Sequence, residues 1–116
     1  MSTLRVTTLA TQAGVEVYTA KAWVNFNGTG TVAIRASGNV SSITDNGTGD
    51  YTVNFTVAMV DANYAAAAFV GSTVPISRSV DTNGIAPTAS AIRITTRNSA
   101  TGVTADDSIV CLSIFR

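Results

Sequence analysis

Between Lys21 and Tyr64 the chain reads KAWVNFNGTGTVAIRASGNVSSITDNGTGDYTVNFTVAMVDANY, short alternating segments cut by Asn-Gly, Gly-Asn and Asp-Asn-Gly. Period-two alternation puts successive side chains on opposite faces of an extended strand, and Asn-Gly supplies the positive φ angles of a tight reversal. The stretch therefore predicts antiparallel β-structure closed by short turns.

Ala22, Val24 and Phe26 fall on one face of a first strand, and Trp23 and Asn25 on the other. After Asn27-Gly28-Thr29-Gly30, Thr31–Ser37 predicts the return strand, with Val32, Ile34 and Ala36 inward. Gly38-Asn39 breaks the chain. Val40–Thr44 and Tyr51–Val57 form the next pair around Asp45–Asp50, with Tyr51, Val53, Phe55 and Val57 inward. Upstream, Leu4–Thr8 and Val15–Tyr18 are two short extended pieces joined by a turn at Thr11–Gly14.

The run Tyr64-Ala65-Ala66-Ala67-Ala68-Phe69-Val70-Gly71 sets helix propensity against context. Alanine favours helix. The run is short, however, and lies between a turn and Gly71-Ser72-Thr73, so it predicts a strand whose small side chains let a neighbouring sheet or chain approach closely. Thr73–Ser90 holds both prolines, Pro75 and Pro87, and predicts a long exposed excursion with a short edge strand at Ile76–Val80. Ala91–Arg97 is the next strand, Asn98–Thr104 a loop and Asp107–Phe115 the last strand. In that last strand Val110, Leu112 and Ile114 share one face, and Ile109, Cys111 and Phe115 the other. A strand apolar on both sides belongs at the centre of a sandwich or at a subunit interface.

These elements predict one all-β domain over residues 1–116, an antiparallel β-sandwich or jelly-roll-like module of 7–8 strands. Residues 1–20 serve as an N-terminal strand or attachment segment and 21–116 as the main sandwich. Charged residues make up only 12% of the chain against about 25% in ordinary domains. With mean hydropathy at +0.30 and no membrane-length apolar run, some apolar surface is expected to be covered by another chain. Trp23, Ala66, Ala68, Cys111, Ile114 and Phe115 are the candidate interface residues. For Trp23, interface anchoring is favoured over a second buried face or an exposed position.

The same composition narrows the chemistry. Seven basic residues balance seven acidic ones and the arginines are scattered, which is no nucleic-acid footprint. Arg93 and Arg97 share a strand face and are expected to be solvated or paired with acids. There is no histidine, so the single cysteine, Cys111, has no His to pair with and is expected as a packed small hydrophobe. Asp45 and Asp50 flank a turn without the ligand spacing of an EF-hand, and Asp106-Asp107 are adjacent residues that point apart on a strand. Gly28-Thr29-Gly30 and Gly47-Thr48-Gly49 lack the full phosphate-binding pattern and read as turns. The expectation is no catalytic, metal or cofactor site, no membrane insertion and no secretory leader.

The opening Met-Ser-Thr-Leu-Arg-Val, the Trp23–Tyr64 region, the strand Ile92-Arg93-Ile94-Thr95-Thr96 and the ending Cys111–Phe115 resemble tail-fibre-like structural proteins of marine tailed bacteriophages. The resemblance implies a virion protein made in the host cytoplasm, a homotrimer that contacts other tail or capsid proteins. Thr82, Asn83, Asn98 and Thr101 lie in the Ser/Thr/Asn-rich loops that would face a host-surface glycan or protein receptor. A capsid decoration, cement or head-fibre protein is the alternative. A glycan depolymerase would need carboxylates that this chain spaces poorly unless subunits combine them.

Overall fold

The computed structural model describes Gly14 and residues 18–116. The described residues form β1 (Ala22–Asn27), β2 (Ala33–Gly38), β3 (Val40–Gly47), β4 (Asp50–Phe55), β5 (Ala65–Gly71), β6 (Arg78–Asp81), β7 (Ala91–Asn98) and β8 (Ile109–Phe115), with no helix among them. They make two four-stranded sheets of order β2-β1-β8-β5 and β3-β4-β7-β6, with every pairing antiparallel. The fold is a β-sandwich. Its winding is roll-like, since β8 returns beside β1 and β7 beside β4. The expected pieces Leu4–Thr8 and Val15–Tyr18, with the turn between them, lie outside the described residues except for Gly14 and Tyr18, which are both exposed.

The core is the alternation made physical. Ala22, Val24 and Phe26 of β1 with Val110, Leu112 and Ile114 of β8 meet Tyr51, Val53 and Phe55 of β4 with Ile92 and Ile94 of β7, all buried. Phe26 and Tyr51 pack edge to face at 5.1 Å, and Phe55 meets Tyr64 likewise at 5.8 Å. Each fully buried side chain of this size contributes about 1.5–3 kcal/mol. The alanine run is a strand, paired residue for residue with β8.

The chain changes sheets at Asn39, which sits at φ 55°. Its Nδ2 donates to the Lys21 and Val57 carbonyls at 3.0 Å each, and its Oδ1 accepts from Val57 N–H at 2.7 Å. An asparagine tolerates the left-handed region because its side chain bonds nearby backbone. Thr56 N–H also donates to the Asn39 carbonyl, at 3.1 Å.

Two inward assignments differ from the alternation. Val57 is 68% exposed, because Asn39 takes its N–H and the strand ends at Phe55. In β2 the register shifts between Asn25 and Phe26, leaving Arg35 unpaired in the β1 ladder. That bulge breaks the two-residue period. Ile34 still stands opposite Phe26, but Ala36 is now opposite Asn25 on the other face; Ile34 is 37% exposed and Ala36 is exposed too, so only Val32 packs partly on the core.

Candidate functional site: an apolar outer face and two clamped loops

Across the outside of the β2-β1-β8-β5 sheet, two rows of side chains follow from the register. Gly38, Trp23, Ser113 and Ala67 form one row, and Ala36, Asn25, Cys111 and Phe69 the other. Trp23 is 44% and Phe69 64% exposed, and Ile109 and Phe115 of the same face are also exposed. The β1, β8 and β5 members of the two rows line an open depression of ≈ 420 Å³ between Trp23 and Phe69. Room for the indole comes from Gly38, where a Cβ would lie against Trp23 Nε1.

This face gathers Trp23, Cys111 and Phe115 and separates them from the other expected interface residues. Ile114 is fully buried in the core, on the opposite side of β8 from Cys111. Ala66 and Ala68 pair with Ile114 and Leu112 and therefore point inward too. They are nonetheless exposed, because the two sheets part along β5 and β6 in a cleft of ≈ 490 Å³ lined also by Val80, Ile92 and Ile94. Ala65, Ala67 and Phe69 take their place on the outer face. Four successive alanines do not tell the two faces of β5 apart; which phase faced the core depended on its register with β8.

The outside of the other sheet has the opposite character. Asn54 Nδ2 donates to Ser42 Oγ and Thr44 Oγ1 at 3.1 and 3.0 Å, and Asn46 Nδ2 to Thr52 Oγ1 at 2.8 Å. Arg93 holds Asp50 through two bonds of 2.8 and 2.6 Å. It is a polar surface that satisfies its own hydrogen bonds.

At the edge of that sheet Arg97 joins the two loops singled out above. Its Nε donates to Asp81 Oδ2 at 2.8 Å, Nη2 to Asn83 Oδ1 at 2.8 Å and Nη1 to the Gly102 carbonyl at 3.2 Å. Asn83 at φ 52° and Gly84 make the first turn, and Ile85 N–H closes it on the Thr82 carbonyl at 2.9 Å. Asn98 forms the second, its Oδ1 accepting from Ala100 N–H and its carbonyl from Gly102 N–H. Asn83 and Thr101 are exposed, whereas Thr82 and Asn98 are half-buried and hold the turns. Sequence spacing held no sign that one guanidinium would bridge both loops.

Each described carboxylate has a structural partner. Asp107, buried, accepts from Arg78 Nε at 2.9 Å, and Asp61 takes two bonds from Arg116 at 2.9 and 2.8 Å. Asp45 closes its own turn on Gly47 N–H at 3.0 Å, so the Asp45/Asp50 pair is divided between a turn and an arginine. Asp106 accepts from Gly49 N–H at 2.7 Å and lies 2.9 Å from the Tyr51 hydroxyl. The hydrogen bond from Arg93 lowers the Asp50 pKa, and that from Thr95 lowers Asp81. Arg116 brings Asp61 down to about 2. Burial pushes the Tyr51 phenol up, and the Asp106 carboxylate adds to it.

Among the described residues no group of three or more His, Cys, Asp or Glu could hold a metal, and no helix is long and apolar enough to cross a membrane. No protein-family model, curated protein or solved structure matches the chain.

Proposed function

We propose that this protein is a non-enzymatic virion structural module of a tailed bacteriophage, a homotrimeric tail-fibre-like unit that contributes to host attachment. The observation that carries the reading is the contrast between its two outer faces. One carries Trp23, Phe69, Ile109 and Phe115 in the open, an apolar surface of the kind that marks a protein contact. The other, with the Arg97-clamped loops at its edge, is polar and suited to display. Four aspartates engaged with arginines suit a scaffold in which charge fixes loops and strands. The virion context is supported by the resemblance of the Trp23–Tyr64, Ile92–Thr96 and Cys111–Phe115 segments. Receptor contact falls to Asn83 and Thr101 at the loop tips.

Light scattering on the purified full chain, followed by binding of the labelled protein to bacterial cells, tests the reading. A mass that is a multiple of three chains, with cell binding that Asn83→Ala plus Thr101→Ala weakens, supports it. Protein that ignores cells and attaches to stripped capsids overturns host attachment and leaves shell decoration as the function.

A further inference from the structure

Among the described residues the sandwich has four edge strands, β2, β5, β3 and β6. A free edge presents unpaired N–H and C=O groups to any extended chain, and proteins blunt it with charge, bulges or shortness. Three of the four are blunted. β2 carries Arg35 at a register shift, β3 is interrupted twice and carries Asp45, and β6 is four residues long with Arg78 and Asp81 at its ends. β5 has none of these devices. Its seven residues AAAAFVG contain no charge and no proline, and their register with β8 runs unbroken from Ala65↔Phe115 to Gly71↔Ile109. Ala65 through Phe69 are exposed on both faces, and no charged residue occurs between Asp61 and Arg78.

We infer that the β5 edge is a pairing site for β5 of a second copy, running antiparallel so that two four-stranded sheets join into one of eight strands. A strand laid beside its own image across a two-fold axis perpendicular to the sheet is antiparallel by symmetry, which matches every pairing inside this fold. Small alanines meet alanines on both sides, and no charge faces its image. The pairing also makes the outer faces of the two copies, each with Phe69 beside the edge, continuous. A charged partner strand would find no counter-charge along β5. The inference stands on the edges and is independent of any virion role.

Ala67 is exposed on the outer face, so a charge there leaves the core intact. The test is light scattering on full-length wild type, Ala67→Lys, Ala67→Glu and their equimolar mixture, with thermal unfolding as a check on folding. The expected result is an even number of chains for wild type, two from this contact alone and six where a three-fold contact forms as well. Each variant alone halves that mass, and the mixture restores it because unlike charges then face each other. A wild type of one or three chains, variants of unchanged mass, or a mixture that stays at half mass overturns the inference. A three-chain wild type would do so while agreeing with the fibre reading, and failure to bind cells leaves this result untouched.

Discussion

The Trp23 indole occupies the space that a side chain at Gly38, its cross-strand neighbour, would need. The exposed ring is thereby held down on the sheet at the edge of the apolar face.

Gly38→Ala is expected to displace the indole with little effect on stability, since the ring is partly exposed and can swing away. Trp23 is the only tryptophan, so its fluorescence reads the displacement directly. An unchanged emission spectrum refutes the packing. Gly49→Ala is the contrast: at φ 61° its Cβ would lie 2.6–2.7 Å from backbone atoms of Ala105 and Thr96. Neither can yield without moving the chain, and a loss of about 3 kcal/mol is expected in denaturant unfolding.

Arg78 and Asp107 form the most enclosed ion pair, with side chains 11% and 0% exposed. The second carboxylate oxygen of Asp107 has no hydrogen-bond partner among the described residues. Arg78→Ala strands a buried charge and is expected to cost about 3–5 kcal/mol. Arg116→Ala, which breaks the exposed pair with Asp61, is expected to leave the urea midpoint nearly unchanged. Equal effects from the two substitutions would show that enclosure does not govern these pairs.

Asn39→Ala removes three hydrogen bonds and places alanine at φ 55°. A loss of about 2–4 kcal/mol follows from the lost bonds and backbone strain together. Asn39→Gly keeps the backbone conformation and loses only the bonds, so its cost should be smaller by about 1 kcal/mol. If glycine proves no better than alanine, strain plays no part in the corner.

Stability should fall at both ends of the pH scale for opposite reasons. Asp50, Asp61 and Asp81 are lowered in the folded chain, so they add stability above the ordinary carboxylate value of 3.8, solvent screening leaving the exposed Asp61 only a small share. That contribution is lost as pH drops through the folded values, about 2 for Asp61. Tyr51 is raised above its ordinary 10.0, so the unfolded chain releases this proton first. Its contribution is present below pH 10 and drains away as pH climbs further. Urea unfolding across pH should show Asp50→Asn flattening the acid limb and Tyr51→Phe the alkaline one; an alkaline limb unchanged by Tyr51→Phe refutes the assignment.

Much of the fold was legible in short runs of residues. Tyr51-Thr52-Val53-Asn54-Phe55 announced β4 and its buried face, and Gly38-Asn39 marked the corner, because alternation and turn chemistry are local. The errors have long-range causes. Ala36 was misjudged because the bulge depends on how β1 and β2 pair. Of the expected interface residues, Ile114 lies in the core and Ala66 and Ala68 open on the cleft between the sheets, because the core face of β8 and the phase of β5 are fixed by partners elsewhere in the chain.

The order of residues alone specifies an all-β chain, poor in charge, with strands of period two and reversals where Asn, Asp and Gly permit positive φ. Which face of each strand turned inward, how one guanidinium came to hold two loops, and which edge was left without a charge or bulge emerged from the packing of the two sheets. Local sterics and backbone hydrogen bonding act within a few residues and are written in order along the chain. Register and sheet order arise from contacts among residues far apart in sequence, and appear only once the sheets have paired.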